Sequence, residues 1–257
     1  MHTWTAFPQL GDFRFDARSV AKHWPRLHAG DAEPLPEHPD VLHAWTLFHN
    51  GRFHEAAEAG LQAGGAGITV ANKATAIYAT HLEKKEKARL ELFMTVVQRA
   101  EVQAAQEPHN PNAWYWQAYA LGRYSQGISV AKALAQGLGG KVKDALEQTI
   151  KLQPRHADAH LALAVFHAEV IDKVGSLIGG MTYGTKKEVG LKLFQDALKL
   201  NPDSPVNMIE CANGILMLEG EKKLREATRL YEQAAAITPT DATEWLDVAL
   251  AKAQLAE

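Results

Sequence analysis

Histidines are the residues in this sequence whose number and spacing come closest to a metal site. Of the 12 histidines, His156, His160 and His167 fall on nearly the same side of one predicted helix. Because an α-helix rises about 1.5 Å per residue, the outer two lie about 16 Å apart and cannot share one ion. Only His156 and His160 could do so, with Asp158 as a further ligand, and His160 aligns with Trp114 in an internal repeat. We therefore predict a packing role for His160 and no metal site.

Two glycine-rich stretches could bind phosphate through exposed backbone amides. The stretch GLGGKV at 137–142 lacks the pattern of a phosphate-binding loop, because Ala135 stands six residues before Lys141 and Val142 follows it. The stretch GGAGITVANKA at 64–74 places glycines before a predicted helix. Both are most simply turns between helices, and we predict no cofactor.

No residue pattern predicts a catalytic site. No serine or cysteine lies in a G-x-S-x-G signature, although a triad assembled from distant parts of the sequence stays open. The single cysteine, Cys211, lies in the apolar stretch NMIECANGILML and is predicted to pack as a small hydrophobic residue. Glutamates such as Glu83 and Glu188 lie among lysines on predicted helix faces. We expect no catalytic residues and no enzymatic activity.

Composition and charge limit the classes of partner. With 257 residues, 46% of them hydrophobic, the chain can bury a core, and its net charge of -3 provides no basic stripe for nucleic acid. The longest nearly apolar window, 161–183, contains Glu169, Asp172 and Lys173, so we predict no membrane span. The first residues lack a basic cluster followed by an apolar run, which predicts a cytoplasmic protein without a secretory signal.

An internal repeat becomes visible when the chain is aligned on four of its prolines, Pro108, Pro154, Pro202 and Pro239. The residue ten positions after each proline is always alanine: Ala118, Ala164, Ala212 and Ala249. The residue six positions after is mostly large: Trp114, His160, Met208 and Trp245. The residue eight positions before is Ala100, Leu146, Phe194 or Tyr231. A bulky residue one turn before a small one favours two closely packed helices, and proline ends the helix before it.

These repeats resemble the tetratricopeptide family over residues 108–257. The likeness lies in KVKDALEQTIKLQPRHADAHLALA, EVGLKLFQDALKLNPDSP and REATRLYEQAAAITPTDATEWLDVA, and more weakly in HAWTLFHNGRFHEAAEAG at 43–60. The resemblance implies an all-α, right-handed α-solenoid of antiparallel helical hairpins, with about twelve helices, over 40–257. Residues 1–39 are then an N-terminal extension with an exposed proline-rich connector at 30–39. Upstream of the prolines, the pattern predicts helices near 16–27, 40–50, 52–63, 69–83 and 85–106.

The repeats are longer than the family pattern. The prolines are spaced by 46, 48 and 37 residues, against a family period of about 34. Most extra residues fall in GRYSQGISVAKALAQGLGGK and EVIDKVGSLIGGMTYGTKKE, each with a Gly-Gly pair. We therefore expect lengthened first helices followed by long glycine-containing turns. Such repeats are similar to divergent tetratricopeptide proteins of the microtubule-dynamics-regulator type.

The resemblance also implies a binding surface, because in similar proteins the first helix of each hairpin lines a concave groove that holds a peptide. Carried onto this sequence, the groove residues are Asn112, Tyr115, Tyr119, Arg123, Asp158, Leu161, Val165, Ile209 and Asn213. The lysines and asparagines that capture a peptide C-terminal carboxylate are mostly replaced here. We predict a scaffold or adaptor that binds a protein or peptide segment in this groove.

Three alternatives stay open at this point. The long inserts could fold over the groove and fill it. The chain could instead carry a small molecule or anion in a pocket closed by the glycine-containing inserts at 137–141 and 175–184. It could also form a homo-oligomer through an aromatic cluster near its start, consisting of Trp4, Phe7, Phe13, Phe15 and Trp24.

Overall fold

The computed structural model describes residues 4–256, and this part of the chain is all-α. It contains fourteen α-helices and one short 3-10 helix: α1 Ala17–Leu27, α2 Pro39–His49, α3 Phe53–Ala63, α4 Gly67–His81, α5 Glu86–Gln106, α6 Pro111–Gln126, α7 Val130–Ala135, α8 Leu138–Leu152, α9 Ala157–Val174, α10 Ser176–Tyr183, α11 Lys187–Leu200, α12 Pro205–Glu219, η1 Glu221–Lys223, α13 Leu224–Ala236 and α14 Ala242–Leu255. The five helices predicted upstream of the prolines are confirmed, each to within two residues at either end.

The described chain divides into two compact units. The first contains residues up to His28, Glu33–Leu138 and Asp241–Thr243, and the second contains Ala29–Ala32, Gly139–Thr240 and the residues from Glu244. In both units, helices that follow one another in the sequence pack together as antiparallel hairpins. The predicted fold class is therefore confirmed.

In the first unit, glycines bring α3 and α4 into close contact. Gly51 adopts a positive φ of 78° in the turn between α2 and α3, a conformation that favours glycine. Gly60 on α3 and Gly67 on α4 lie where the two helices cross, and a Cβ atom on Gly60 would come within 2.5 Å of the Gly67 carbonyl oxygen. The two backbones therefore approach more closely than any larger residue at either position allows.

In the second unit, two of the three predicted alanine positions lie at the centre of the core, and the third, Ala249, is partly buried. Ala164 on α9 and Ala212 on α12 are fully buried, and Phe194 on α11 packs with them in one hydrophobic cluster. The position eight residues before the proline is buried in each repeat: Ala100, Leu146, Phe194 and Tyr231. The proline offsets therefore identify the residues that face neighbouring helices.

The residue six positions after the proline has a polar role that the sequence did not predict. Trp114 Nε1 donates a hydrogen bond to the Pro108 carbonyl at 3.1 Å, and His160 Nε2 lies 3.0 Å from the Pro154 carbonyl oxygen. Both side chains are partly exposed. The ring at this position closes the turn by binding the carbonyl of the proline that ended the preceding helix. The prediction of a pure packing role for His160 is therefore incomplete.

The two inserts differ from the prediction of long glycine-containing turns. Their Gly-Gly pairs, 139–140 and 179–180, lie inside α8 and α10. The chain changes direction instead at single glycines with positive φ: Gly137, Gly175 and Gly184. The Gly-Gly pairs allow close packing, since a Cβ on Gly139 would lie 2.9 Å from the ring of Tyr183. Because the inserts form α7 and α10, the helix count over residues 4–256 is fourteen and not about twelve.

The connector at 30–39, which we predicted to be exposed, is mostly exposed from residue 34 onward but buried near its start. Asp31 and Glu33 are buried, with 1% and 8% of their surface exposed. In the first unit, the Glu33 carbonyl accepts a hydrogen bond from Trp24 Nε1 at 2.8 Å. In the second unit, the Gly30 carbonyl accepts one from the Asp158 amide at 3.1 Å. The composition of the segment gave no signal for these long-range bonds.

A pair of glycine substitutions tests the close packing of the second unit. A Cβ on Gly214 of α12 would overlap the ring of Phe194, whereas a Cβ on Gly122 of α6 would meet no atom within 4 Å. Gly214→Ala should lower the free energy of unfolding by about 1–3 kcal/mol through overpacking. Gly122→Ala should raise it by about 0.5–1 kcal/mol through helix propensity. Urea unfolding of both variants measures the difference, and effects of the same sign would contradict the packing described here.

Candidate functional site

The predicted groove residues of the first unit all lie on α6, but they differ in exposure. Asn112 and Tyr115 are buried, with 0% and 5% of their surface exposed, whereas Tyr119 and Arg123 are partly exposed. Asn112 Nδ2 donates a hydrogen bond to Glu33 Oε2 at 2.5 Å. The first two residues therefore support α6 from inside, and the surface available to a partner begins at Tyr119.

Tyr119 and Arg123 form one preorganised cluster with Thr80 of α4. The Tyr119 hydroxyl lies 2.9 Å from Thr80 Oγ1, which itself donates to the Ala76 carbonyl at 2.8 Å. Since the Thr80 proton is used there, the Tyr119 hydroxyl must be the donor between the two side chains. The Arg123 guanidinium lies 5.4 Å from the centre of the Tyr119 ring, within range of a cation–π contact.

His81, the last residue of α4, is electrostatically coupled to this cluster. Burial of its ring and the nearby positive charge of Arg123 lower the pKa of His81 from 6.5 to about 4. His81 is therefore neutral at neutral pH, and Arg123 carries the positive charge of the cluster. Sequence reasoning missed both Thr80 and His81, because no repeat proline precedes α4 to mark their positions.

A second charged group of the first unit, Arg99, is partly buried between α4 and α5. Arg99 Nη2 donates to Thr75 Oγ1 at 2.8 Å, while its Nε atom is buried without a hydrogen-bond partner. Burial lowers the pKa of Arg99 from 12.5 to about 10. The adjacent Gln103 Nε2 donates to Thr69 Oγ1 at 2.9 Å, so polar side chains continue along this seam. The guanidinium has no compensating carboxylate among the described residues.

In the second unit, the predicted groove residues lie on α9 and α12, which pack against each other. Leu161 and Ile209 belong to the hydrophobic core, and Val165 packs against it from a partly buried position. Asp158 is partly exposed in the first turn of α9. Leu161 and Ile209 each lie seven positions after a repeat proline, as Tyr115 does in the first unit. They stabilise the helix pair in the same way as Tyr115.

Asn213 belongs to a hydrogen-bonded group, centred on Tyr231, that joins three helices of the second unit. The Tyr231 hydroxyl lies 2.6 Å from Asn213 Oδ1 and 2.9 Å from Gln254 Oε1, which connects α12, α13 and α14. Burial is the main cause that raises the pKa of Tyr231, so the hydroxyl stays protonated. Asn213 is partly exposed. Its amide is positioned by Tyr231 and keeps part of its surface on the α12 face.

The histidines that suggested a metal site each have a separate hydrogen-bond partner. His156 Nδ1 accepts the Ala159 amide at 3.0 Å and caps α9. His167 Nδ1 accepts the Lys186 amide at 2.9 Å. His156 and His160 both bind backbone atoms of the Pro154 turn that begins α9, whereas His167 binds the backbone at the start of α11. Residues 4–256 contain no group of three side chains arranged to hold a metal ion.

Comparison with solved structures identifies the fold. The crystal structure of TTC0263, a thermophilic TPR protein in Thermus thermophilus, superimposes with a TM-score of 0.59 at 16% sequence identity. The match covers 84% of this chain and 98% of that chain. No protein-family model and no curated protein matches the sequence. At this identity the likeness establishes a tetratricopeptide-like fold and nothing about a ligand. Within residues 4–256, every helix is too short or too polar to cross a membrane.

The lowered pKa of His81 predicts a loss of stability in acid. The unfolded chain binds a proton at His81 near pH 6.5, whereas the folded chain binds it only near pH 4. The stability present above pH 6.5 should therefore fall as the pH drops towards 4, by at most about 3 kcal/mol from this residue. His81→Asn should remove that part of the acid loss in urea unfolding between pH 7 and 4. An unchanged pH slope in the variant would contradict a neutral His81 in the folded chain.

Because the Arg99 charge has no carboxylate partner, we predict that its removal stabilises the folded chain. Arg99→Met should raise the free energy of unfolding by about 1 kcal/mol, because a partly buried charge without a carboxylate partner is replaced by an apolar chain of similar length. Thr75 keeps its own bond to the Ala71 carbonyl. Arg229→Met, on the exposed face of α13, serves as the control and should change stability by less than about 0.5 kcal/mol. Strong destabilisation by Arg99→Met would show that the charge has an unrecognised stabilising partner.

Proposed function

We propose that this chain is a protein-interaction scaffold that binds an extended or helical segment of a partner protein. The tetratricopeptide-like fold supports this role in general terms, since folds built from stacked helical hairpins offer extended surfaces for binding. No enzymatic activity is part of the proposal. In the first unit, we assign partner contact to the cluster formed by Thr80, Tyr119 and Arg123.

The observation that carries this assignment is the fixed geometry of Tyr119 and Arg123. The Tyr119 hydroxyl is bound to Thr80, and its ring lies under the Arg123 guanidinium. Side chains that are already ordered lose little conformational entropy when a partner binds. Tyrosine and arginine are also among the residues that contribute most to binding at protein interfaces. The cluster therefore offers an aromatic contact and a cation at low entropic cost.

The charge of the cluster indicates the chemistry of the partner. His81 is neutral at neutral pH, so Arg123 is the cationic group presented beside the Tyr119 ring. A guanidinium binds carboxylates and carbonyl oxygens through several N–H donors at once. We therefore expect the partner segment to place an acidic side chain or a free carbonyl oxygen at Arg123, next to an apolar residue on Tyr119.

The second unit contributes Val165 and Asn213 to the proposal, and Asp158 at the start of α9. These three groove residues remain partly exposed. Buried residues at the predicted groove positions have a supporting role, and Tyr115→Ala would test stability more than binding, because only 5% of Tyr115 is exposed. The useful variants are therefore those at the exposed positions.

Affinity capture with paired variants tests the proposed surface. Proteins captured by the wild-type chain from native lysate should be lost when Tyr119→Ala and Arg123→Gln are combined, because both ordered contacts are removed. The control Arg229→Gln changes an exposed arginine on α13 and should capture the same proteins as the wild type. Peptides tiled from a captured protein should then bind the double variant at least tenfold more weakly in fluorescence anisotropy. Equal binding by the double variant and the control would refute the assignment to Tyr119 and Arg123.

A further inference from the structure

The residues that precede α1 lie against the first unit in the manner of a bound peptide. Residues 4–7 and 13–16 have no regular secondary structure, and a turn at 8–12 separates them. Residues 4–7 form the N-terminal segment. The surface that holds it consists of Gly51, Phe53, His54 and Tyr78, and is named the segment-binding surface.

The first contact between the two is aromatic. The Trp4 ring stacks on the Tyr78 ring, with centroids 4.1 Å apart and planes inclined by 15°. The same indole meets the His54 ring edge-on at 5.1 Å. Pairs of this kind strengthen binding beyond the burial of their surfaces. The corner between α3 and α4 thus holds a flat aromatic side chain on two sides.

The second contact is a hydrogen bond from the backbone of Thr5, so it does not depend on which side chain follows Trp4. The Thr5 amide donates a hydrogen bond to the Tyr78 hydroxyl oxygen at 3.1 Å. The Tyr78 hydroxyl donates its own proton to Glu83 Oε2 at 3.2 Å, and Glu83 Oε1 is held by the Lys85 amide at 2.8 Å. Because its proton is directed to Glu83, the hydroxyl oxygen is oriented as an acceptor for any peptide amide at this position.

The third contact is a recess that fits one aromatic ring. Phe7 is 3% exposed and meets the Phe53 ring edge-on at 6.1 Å. It lies directly over Gly51, where a Cβ atom would overlap the ring. The surface therefore accommodates two aromatic side chains three residues apart, with a backbone hydrogen bond between them.

The N-terminal segment is joined to the residues that follow it by an exposed turn and by one ring contact, between Phe7 and Phe13 with centroids 6.3 Å apart. Gly11 in the turn has a φ of 101°, and a Cβ atom placed on it would have no neighbour within 4 Å. The Asp12 amide donates a hydrogen bond within the turn, to the Gln9 carbonyl at 3.1 Å. Beyond the turn, Phe15 is anchored independently: Asn50 accepts its amide at 2.7 Å and donates to its carbonyl at 3.0 Å. The exposed turn is thus a tether between two attachments whose hydrogen bonds are separate and which share only the contact of Phe7 with Phe13.

We propose that the segment-binding surface is a docking site for an extended peptide of a partner protein, and that residues 4–7 occupy it in cis until such a peptide displaces them. The partner peptide is characterised by two aromatic side chains three residues apart, with a free backbone amide after the first. The proposal rests on the proposed function only in that the partner is a protein segment. Its residues are separate from Thr80, Tyr119 and Arg123, so either surface can fail alone.

A titration of the full chain with a synthetic peptide tests the proposal. The peptide WTAFPQL, which reproduces residues 4–10, is added to the isotope-labelled wild-type chain and to a variant with Trp4→Ala and Phe7→Ala. A short tether provides an effective concentration of about 1 mM in cis, so the wild type should bind the peptide at least tenfold more weakly than the variant. Backbone signals of Gly51 and His54 should shift on binding to the variant. A peptide with alanine in place of tryptophan should not bind.

Two further measurements separate docking from a purely structural role. Adding Tyr78→Phe to the double variant removes the acceptor for the peptide amide and should weaken binding about threefold to tenfold, with the melting temperature as the control for folding. In the wild type, the Thr5 amide should exchange with solvent at least tenfold faster than the Phe15 amide, because residues 4–7 undock separately. Absence of saturable binding to the double variant would overturn the proposal. Equal affinity in wild type and double variant, or equal exchange of the two amides, would also overturn it.

Discussion

The spacing between consecutive helices depends on small residues at the points where they cross, and the other features of each unit follow from that spacing. The α3 and α4 backbones approach at Gly60 and Gly67, so closely that neither position has room for a side chain. On α12, the absence of a side chain at Gly214 makes room for the ring of Phe194, and the fully buried Ala212 lies two residues before it. Protein cores are packed so densely that even one additional carbon at such a point is felt. Large residues on one helix are therefore accommodated by small ones on the next.

Close packing also requires that the polar groups at each proline turn find partners locally. The residue two positions after the proline caps the next helix in three repeats, through the side chains of Asn110, His156 and Ser204. The residue six positions after it returns to the proline carbonyl, through Trp114 in one repeat and His160 in another. Tryptophan and histidine are interchangeable here because both present a ring N–H at nearly the same distance from the proline carbonyl. Local capping thus explains histidines whose spacing suggested a metal.

The sequence predicted the fold well because its signals are local and periodic. Four prolines and the alanines ten residues after them identify the hairpins without any tertiary information. The candidate site was harder to predict, because exposure depends on distant contacts. Asn112 is buried by a bond to Glu33, 79 residues away in the sequence. Thr80 and His81 were missed because α4 follows a glycine turn and no repeat proline, so nothing aligned them with Tyr119.

The predicted groove residues separate into rows along each first helix. At offset seven from the proline, Tyr115, Leu161 and Ile209 are all buried, whereas at offset eleven Tyr119, Val165 and Asn213 are all partly exposed. The two rows lie on nearly the same side of the helix and are separated by one turn, about 6 Å along the axis. Within that one turn, the side chains on this side of each helix change from buried to partly exposed.

The next row follows at offset fifteen, where the residues are Arg123, Glu169 and Met217. None of the three is buried, and they are respectively basic, acidic and apolar. Residues in the inner row must fit against neighbouring helices, which limits them to apolar side chains. Residues in the outer rows are less constrained: Tyr119 and Asn213 each bond to one neighbouring helix but keep part of their surface exposed, so their chemistry differs from one repeat to the next. The last turns of the first helices are therefore the part of the repeat in which recognition of a partner can vary while the packing is preserved.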